Sequence, residues 1–315
     1  MSLSERPLPK AKIQLEDTLK LLERWATEKP AQIALCHKRR DRWKAWSWVD
    51  VQREVKRLEI LLQRQGFGFG SRLAFSGALE PTLILLALAA RSAGGDVVCI
   101  SRHIQGQALH QELLHVQPSH GFVQSREGIS QWLEAAHDLP YELPIFSVQS
   151  VARQQGRCQI LPLTTQDAVA AQAKALPWSV VQHQHLLWAE EGTEWPEGLA
   201  LVLHQGLHEG IGFAFPENTE SASRDRCDIR PVGVVISEQR QRVLSAEIEQ
   251  RLAPKGSWSR RLSDWALENA HIRPARWIAT RLFRLLGLQR LKFILPSDQP
   301  TSLAPVRWMV QEQAA

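Results

Sequence analysis

The stretch that most constrains this chain runs from residue 80 to residue 100, EPTLILLALAARSAGGDVVCI. Glu80-Pro81 opens a helix, with proline in the first turn, where its missing N–H costs nothing. The run LILLALAA is apolar nearly all round, so the helix has no face to offer water and must be buried. Gly94-Gly95 ends it, and residues 97–100 are a continuous apolar strand. The same alternation recurs on both sides. Ser47 can cap a helix reaching about residue 65, with Val51, Val55, Leu58 and Leu62 on one face and Gly66 as its stop. Residues 72–75 are then a short strand. Helices at about 107–116 and 129–136 precede strands at 121–123 and 144–148. Strand and helix in regular alternation predict an α/β fold with largely parallel sheets and helices on their faces.

Residues 149–166 are polar and read as a connection. A second α/β half follows. Residues 168–173 are a candidate strand, 199–203 and 211–215 are short apolar runs, and 232–236 is a strand after Arg230-Pro231. Helical patterns cover about 238–252 and 259–286, the latter broken near Pro274, before a last strand at 291–295. The expected organisation is a basic leader at 1–12, a first α/β subdomain at 13–150 and a second at 151–315.

A chain of 315 residues can bury a large core. With 44% hydrophobic and 23% charged residues, it does not read as disordered. The net charge of +5 permits contact with an anionic surface without demanding it. Cys36, Cys99, Cys158 and Cys227 form no CxxC pair, so free thiols in a reducing cytoplasm are expected. The first residues, MSLSERPLPKAK, contain no apolar signal-peptide core, and the run at 83–90 is too short to span a bilayer. Twelve Trp stand beside a single Tyr.

Residues 170–181 read AAQAKALPWSVV and run into QHQHLL. Laid without gaps on the phosphate loop Thr-Ser-Gly-Thr-Thr-Gly-x-Pro-Lys-Gly, the stretch keeps only Pro177. Trp178 stands at the Lys position, and Gln172, Ala175 and Ser179 stand at the glycines. Other pieces are collinear with the same family. WSWVDVQREVKRLEILLQRQGFGFGSRLAF and GALEPTLILLALAARSAGGDVVCI occupy the places of its early helices and strands, with Ser71 and Ala78 at its Asp and Asn positions. VVQHQHLL matches its helix after the phosphate loop. GIGFAFPE, LLGLQRLKFIL and Asp298–Ser302 match its later strand, turn and Gly-Ala-Pro elements. Together these resemble the N-terminal part of the AMP-binding, adenylate-forming superfamily, closest to the long-chain acyl-CoA synthetases.

The resemblance implies two consecutive subdomains and a chemistry of carboxylate activation with ATP and Mg. It also exposes losses. The family's adenine and magnesium motif, its ribose-binding Asp and its mobile C-terminal lid find no counterpart, and its Pro-Arg element falls on Ser237-Glu238-Gln239. Adenylation needs backbone amides, hydroxyls and a cation around the phosphates. The eroded loop at Lys174, Pro177, Trp178 and Ser179 supplies one displaced Lys and a bulky ring instead. Losing one such donor typically costs ~100- to 1,000-fold in turnover. No catalytic, cofactor or metal residue is therefore assigned. The expectation is a degenerate, non-catalytic protein that binds an acyl ligand or a protein partner such as an intact acyl-CoA synthetase. The alternative is residual fatty-acid ligase activity with ATP and Mg, alone or with a complementing polypeptide.

Other patterns carry less. Residues 66–70, GFGFG, follow a helix and open a strand, the reverse of a dinucleotide fingerprint, and read as a helix stop and tight turn. His183 and His185 sit two apart and His204 and His208 four apart, but Gln205 holds the place of the zincin Glu. No Gly-x-Ser-x-Gly elbow occurs. Asp264 and Glu268 lie one turn apart, as on a solvated helix face. Residues 273–292 carry Arg273, Arg276, Arg281, Arg284 and Arg290 among Trp277, Ile278, Leu282, Phe283, Leu285 and Leu286. Two readings stand: a helix packed on its own domain, or a basic amphipathic face for a membrane or acidic partner. No nucleic-acid module is visible. The expected place is the cytoplasm, with the inner membrane surface as the alternative.

Overall fold

The computed structural model describes residues 15–149, 154–155, 158–163, 173–254, 256–269 and 272–295. After helix α1 (Leu15–Glu28), strands β1 (Ile33–Arg39) and β2 (Arg42–Ser47) form a hairpin. Its turn residues Arg40 and Asp41 both have positive φ, 50° and 59°, the primed geometry whose twist matches that of the strands. Helix α2 (Trp48–Arg64) begins with a capping box: Ser47 Oγ accepts from the Asp50 amide and the Asp50 carboxylate accepts from the Ser47 amide. The helix ends at Gln65, and Gly66 (φ 83°) and Gly70 (φ 76°) turn the chain into β3 (Arg72–Ser76). The glycine-rich pentapeptide is thus a stop and a turn.

Helix α3 (Pro81–Ser92) is buried at every position from Pro81 to Ala90. It contacts β1, β3 and β4 (Asp96–Cys99), which come from both sheets of the molecule. That placement explains an apolar surface on all sides. Each leucine so buried contributes about 1.5–3 kcal/mol. The chain continues through α4 (Gly106–Val116), β5 (His120–Val123), α5 (Arg126–Ala135), β6 (Leu143–Ser147), β7 (Gln154–Gln155) and β8 (Cys158–Pro162). The first sheet has the order β4-β3-β5-β6-β8-β7 and is parallel except for β7–β8. Part of the expected connection at 149–166 is therefore strand. Cys158 and Ile160 are buried and β8 pairs with β6, so an apolar residue at every second position was the signal beneath a polar composition.

The second half runs β9 (Lys174–Leu176), α6 (Trp178–Val181), β10 (Leu186–Ala189), α7 (Pro196–Glu209), β11 (Gly212–Phe215), α8 (Ala222–Ile229), β12 (Gly233–Val235), α9 (Glu238–Arg251), α10 (Trp258–Glu268), α11 (Arg273–Leu285) and β13 (Phe293–Leu295). Its sheet has the order β13-β12-β10-β11-β1-β2-β9. The hairpin at 33–47 belongs here, and β7–β8 belong to the first sheet, so a division at residue 150 does not separate the two sheets.

Several local expectations change. The candidate strand at 168–173 falls mostly outside the described residues, and the strand lies at 174–176. VVQHQHLL is not one helix: α6 stops at Val181, and Leu186 already opens β10. Residues 199–203 are helical within α7. The pattern at 259–286 does break near Pro274, into two helices, and Pro274 stands in the first turn of α11. The leader 1–12 and Asp298–Ser302 lie outside the described residues.

Candidate functional site at the carboxyl edge of the sheets

Parallel strands of both sheets end on a common cleft. Ala78, Leu79 and Glu80 follow β3, Gln124 follows β5, Glu190 and Glu191 follow β10, and Pro216 and Glu217 follow β11. With His37, near the end of β1, and with Arg102, Asn218 and Thr219, they line a cavity of about 190 Å³. This is the crevice at strand carboxyl ends where open α/β sheets place ligands. Backbone bonds clamp the two sheets here. The Leu79 amide donates to Glu191 O at 2.9 Å and the Thr193 amide to Gly77 O at 2.8 Å. The approach is close enough that a Cβ on Gly192 would meet Gly77 O at 2.5 Å.

The cleft is lined by carboxylates that the protein itself engages. Glu190 accepts from Trp188 Nε1 at 2.7 Å, from Arg240 Nε at 2.7 Å and from Arg226 at 3.5 Å. Arg226 is fully buried and also donates to Leu286 O and Glu247. Glu191 accepts from the amide and hydroxyl of Ser237. Burial nevertheless holds its carboxyl above the usual range. Glu217 accepts from the Arg40 and Asp41 amides at 2.5 and 3.3 Å, so this hairpin cradle is filled by a protein carboxylate. Arg102, the cation among the lining residues, is paired with Glu194.

Glu80 is buried at the mouth of α3, and burial raises its pKa. Its Oε2 lies 3.7 Å from His37 Nε2. Burial first, then Arg39, pushes the His37 imidazole down to about 3. At neutral pH the pair is a neutral imidazole beside a carboxyl that resists ionisation. Below them, Lys38 bridges Asp225 at 2.9 Å and Asp228 at 2.8 Å and ties β1 to α8.

The eroded loop residues stand elsewhere. Lys174 pairs with Ala45 across β9–β2, and its charge acts on Asp50 at the first turn of α2. Pro177 and Ser179 are exposed beside and within α6, and none of Lys174, Pro177 or Ser179 is among the residues lining the cleft. His183 and His185 are exposed. His204 and His208 stack at 4.2 Å on α7, and among the described residues no group of three His, Cys, Asp or Glu is placed to hold a metal ion. Burial pushes the Cys99 thiol up to about 12 and the Cys158 thiol up to about 11, which disarms both as nucleophiles.

No protein-family model and no curated protein sequence matches the chain. Solved structures do match. The adenylation domain of a carboxylate reductase from Mycobacterium chelonae superposes with a TM-score of 0.60 at 15% identity, over 88% of this chain and 53% of that one. The acetoacetyl-CoA synthetase of Streptomyces lividans gives 0.58 at 15% identity, over 95% and 50%. The luciferase-like enzyme of the nonluminescent mealworm Zophobas morio gives 0.56 at 14% identity, over 78% and 65%.

The fold is that of the adenylate-forming enzymes. The chain spans about half to two-thirds of the length of these neighbours. Within this adenylate-forming fold, sequence reasoning missed most of the cleft. Glu190 and Glu191 were readable as two carboxylates directly after the apolar run LLWA, and His37 as a polar residue within the apolar strand IALCHKR.

Proposed function

We propose that this chain is a non-catalytic member of the adenylate-forming fold that works by binding rather than by activating carboxylates. The observation that carries this reading is the charge of the carboxyl-edge cleft. The resemblance implies a triphosphate and Mg, with the phosphate loop at residues 170–179. A triphosphate needs amides, hydroxyls and cations. The cleft is lined by the carboxyls of Glu80, Glu190, Glu191 and Glu217, against the side-chain amides of Gln124 and Asn218, the Thr219 hydroxyl and an Arg102 held by Glu194. Four carboxyls facing one already paired cation do not suit a triphosphate.

A fatty-acyl ligand has little support. The apolar cavity between α2, α3, α7 and β1, lined by residues such as Trp48, Ile84, Leu88 and Leu203, is about 30 Å³. That is about the room of one water.

Calorimetry of the purified chain titrated with magnesium-ATP, with and without a long-chain fatty acid, tests the proposal. Absence of binding heat, with no fatty-acid-dependent pyrophosphate exchange, supports it. Micromolar ATP affinity strengthened by fatty acid overturns it and revives the ligase reading.

A further inference from the structure

Helix α11 has two faces of opposite character. Ala275, Ala279, Phe283 and Leu286 recur at helical spacing and are buried in the core of the second sheet with Leu288, Leu291 and Ile294. The other face carries Arg276, Trp277, Arg281, Arg284 and Leu285 into solvent, with Arg273 at its start. Trp277 is 64% exposed and Leu285 62%. The helix sequence RPARWIATRLFRL contains no carboxylate. A shallow groove of about 710 Å³ runs along this face, and Arg281 lies over the Trp277 ring at 5.7 Å. A neighbouring depression adds Arg230, Arg290 and His183 beside Arg284, extending the positive surface.

Helix α10, packed against α11, exposes Trp258 at 77% and Trp265 at 40%. Ile272, just before α11, is 40% exposed. Among the described residues, ten large hydrophobic side chains are exposed, and five of them fall between 258 and 285. Three of those five are Trp, the side chain whose flat, amphipathic ring settles at a lipid headgroup boundary.

We infer that the α10–α11 hairpin docks this protein on a bilayer surface bearing anionic headgroups, with the arginines of α11 at the phosphates and Trp277 and Leu285 entering the interface. Charge complementarity selects the occupant. A carboxylate-free helix with several outward arginines attracts anionic lipid, and exposed aromatic and aliphatic side chains between the arginines add an apolar contribution. Arginine stems reach along apolar surface while their heads stay hydrated. No described helix is long and apolar enough to cross a membrane, so the contact lies in the membrane plane. This inference does not depend on the reading of the carboxyl-edge cleft.

Vesicle flotation of the full chain tests it, comparing vesicles of phosphatidylcholine alone with vesicles that also contain phosphatidylglycerol. The expected result is binding to the anionic vesicles only, weakened by salt. Each arginine near the surface is worth about fivefold in affinity. The triple variant R276Q/R281Q/R284Q should therefore bind about a hundredfold more weakly. It should still unfold cooperatively, because the buried face is untouched, whereas R24Q on α1 should bind like wild type. Trp277→Ala should weaken binding without removing its salt dependence. Lack of wild-type binding to anionic vesicles overturns the inference, as does equal binding by the triple variant or binding indifferent to phosphatidylglycerol. Binding to heparin or an acidic polypeptide without binding to vesicles also overturns it and reassigns the face to a polyanionic macromolecule.

Discussion

The carboxyl-edge cleft and the outer face of α11 are both rich in charge, yet they use it in opposite ways. In the cleft, Glu190 is held by Trp188, Arg226 and Arg240, Glu191 by Ser237, and Glu217 by two backbone amides. On α11, Arg276, Arg281 and Arg284 share their face with solvent-exposed Trp277 and Leu285 and with no acidic residue of their own helix. Charges that satisfy one another inside the protein hold its parts in place. Charges displayed together with apolar side chains at the surface are what the proposed membrane contact uses. The difference should appear as stability in the first region and as binding in the second.

The largest effect should come from Arg226, whose side chain is 1% exposed beside a Glu190 that is 1% exposed. Replacing it with methionine removes one of the two arginines on the buried Glu190, both bonds to Glu247 and the bond to Leu286 O. Breaking such a buried pair costs about 3–5 kcal/mol. Urea unfolding of R226M should show that loss, and R226M/E190Q should recover part of it. A variant as stable as wild type would break the view that the cleft charges are structural.

A second effect is pH-dependent. The folded state holds His37 neutral, with its pKa depressed from 6.5 to about 3 by burial. A depressed base contributes stability that is present above its unfolded pKa and lost as pH falls. The loss should run from about pH 6.5 down to about 3, at up to about 1.4 kcal/mol per unit. Glu80 acts in the opposite sense. Its raised pKa gives stability that is present below the ordinary carboxyl value and lost as pH rises through the folded one. Unfolding midpoints of wild type and H37Q across that range isolate the histidine: the difference between them should shrink as the solution is acidified. A constant difference would place the imidazole in a solvated setting.

The clamp between the sheets should give a smaller loss. A Cβ on Gly192 meets Gly77 O at 2.5 Å and the Ala78 Cα at 3.1 Å, both backbone atoms. G192A must push the sheets apart or break the Thr193–Gly77 bond, at about 1–3 kcal/mol. Equal stability of G192A would show that the two sheets can part without cost at this edge.

How much of this was legible in the sequence follows from where each signal resides. Ser47, Gly66 and the α3 run speak through local geometry and burial, and the structure has the helices where these residues indicate. The resemblance to adenylate-forming enzymes rested on the order of soft matches, and the superposition on solved adenylate-forming enzymes agrees with it. What stayed hidden depends on pairing between distant segments. Lys38 and Asp225 are 187 residues apart, and nothing near either one announces the other. The hairpin at 33–47 joins the sheet of the second half through β11 on one side and β9 on the other, both far along the chain, so no local pattern could assign it there. Cys158 and Ile160 were masked by the polar residues around them.

The smallest stability effect belongs to the outer face of α11, and its smallness is the point. Arg281 and Arg284 project from a helix whose Ala275, Ala279 and Phe283 are already buried, so R281A and R284A leave the packing of the second sheet intact. Exposed substitutions of this kind change stability by about 0.5 kcal/mol or less. Alanine also favours the helix slightly more than arginine does, which offsets any lost contact with Trp277. Urea midpoints for both variants should coincide with that of wild type. A loss of several kcal/mol would instead make these arginines part of the fold's own support. It would then erase the contrast with the cleft, because a side chain that the fold needs in place is not free to serve a membrane.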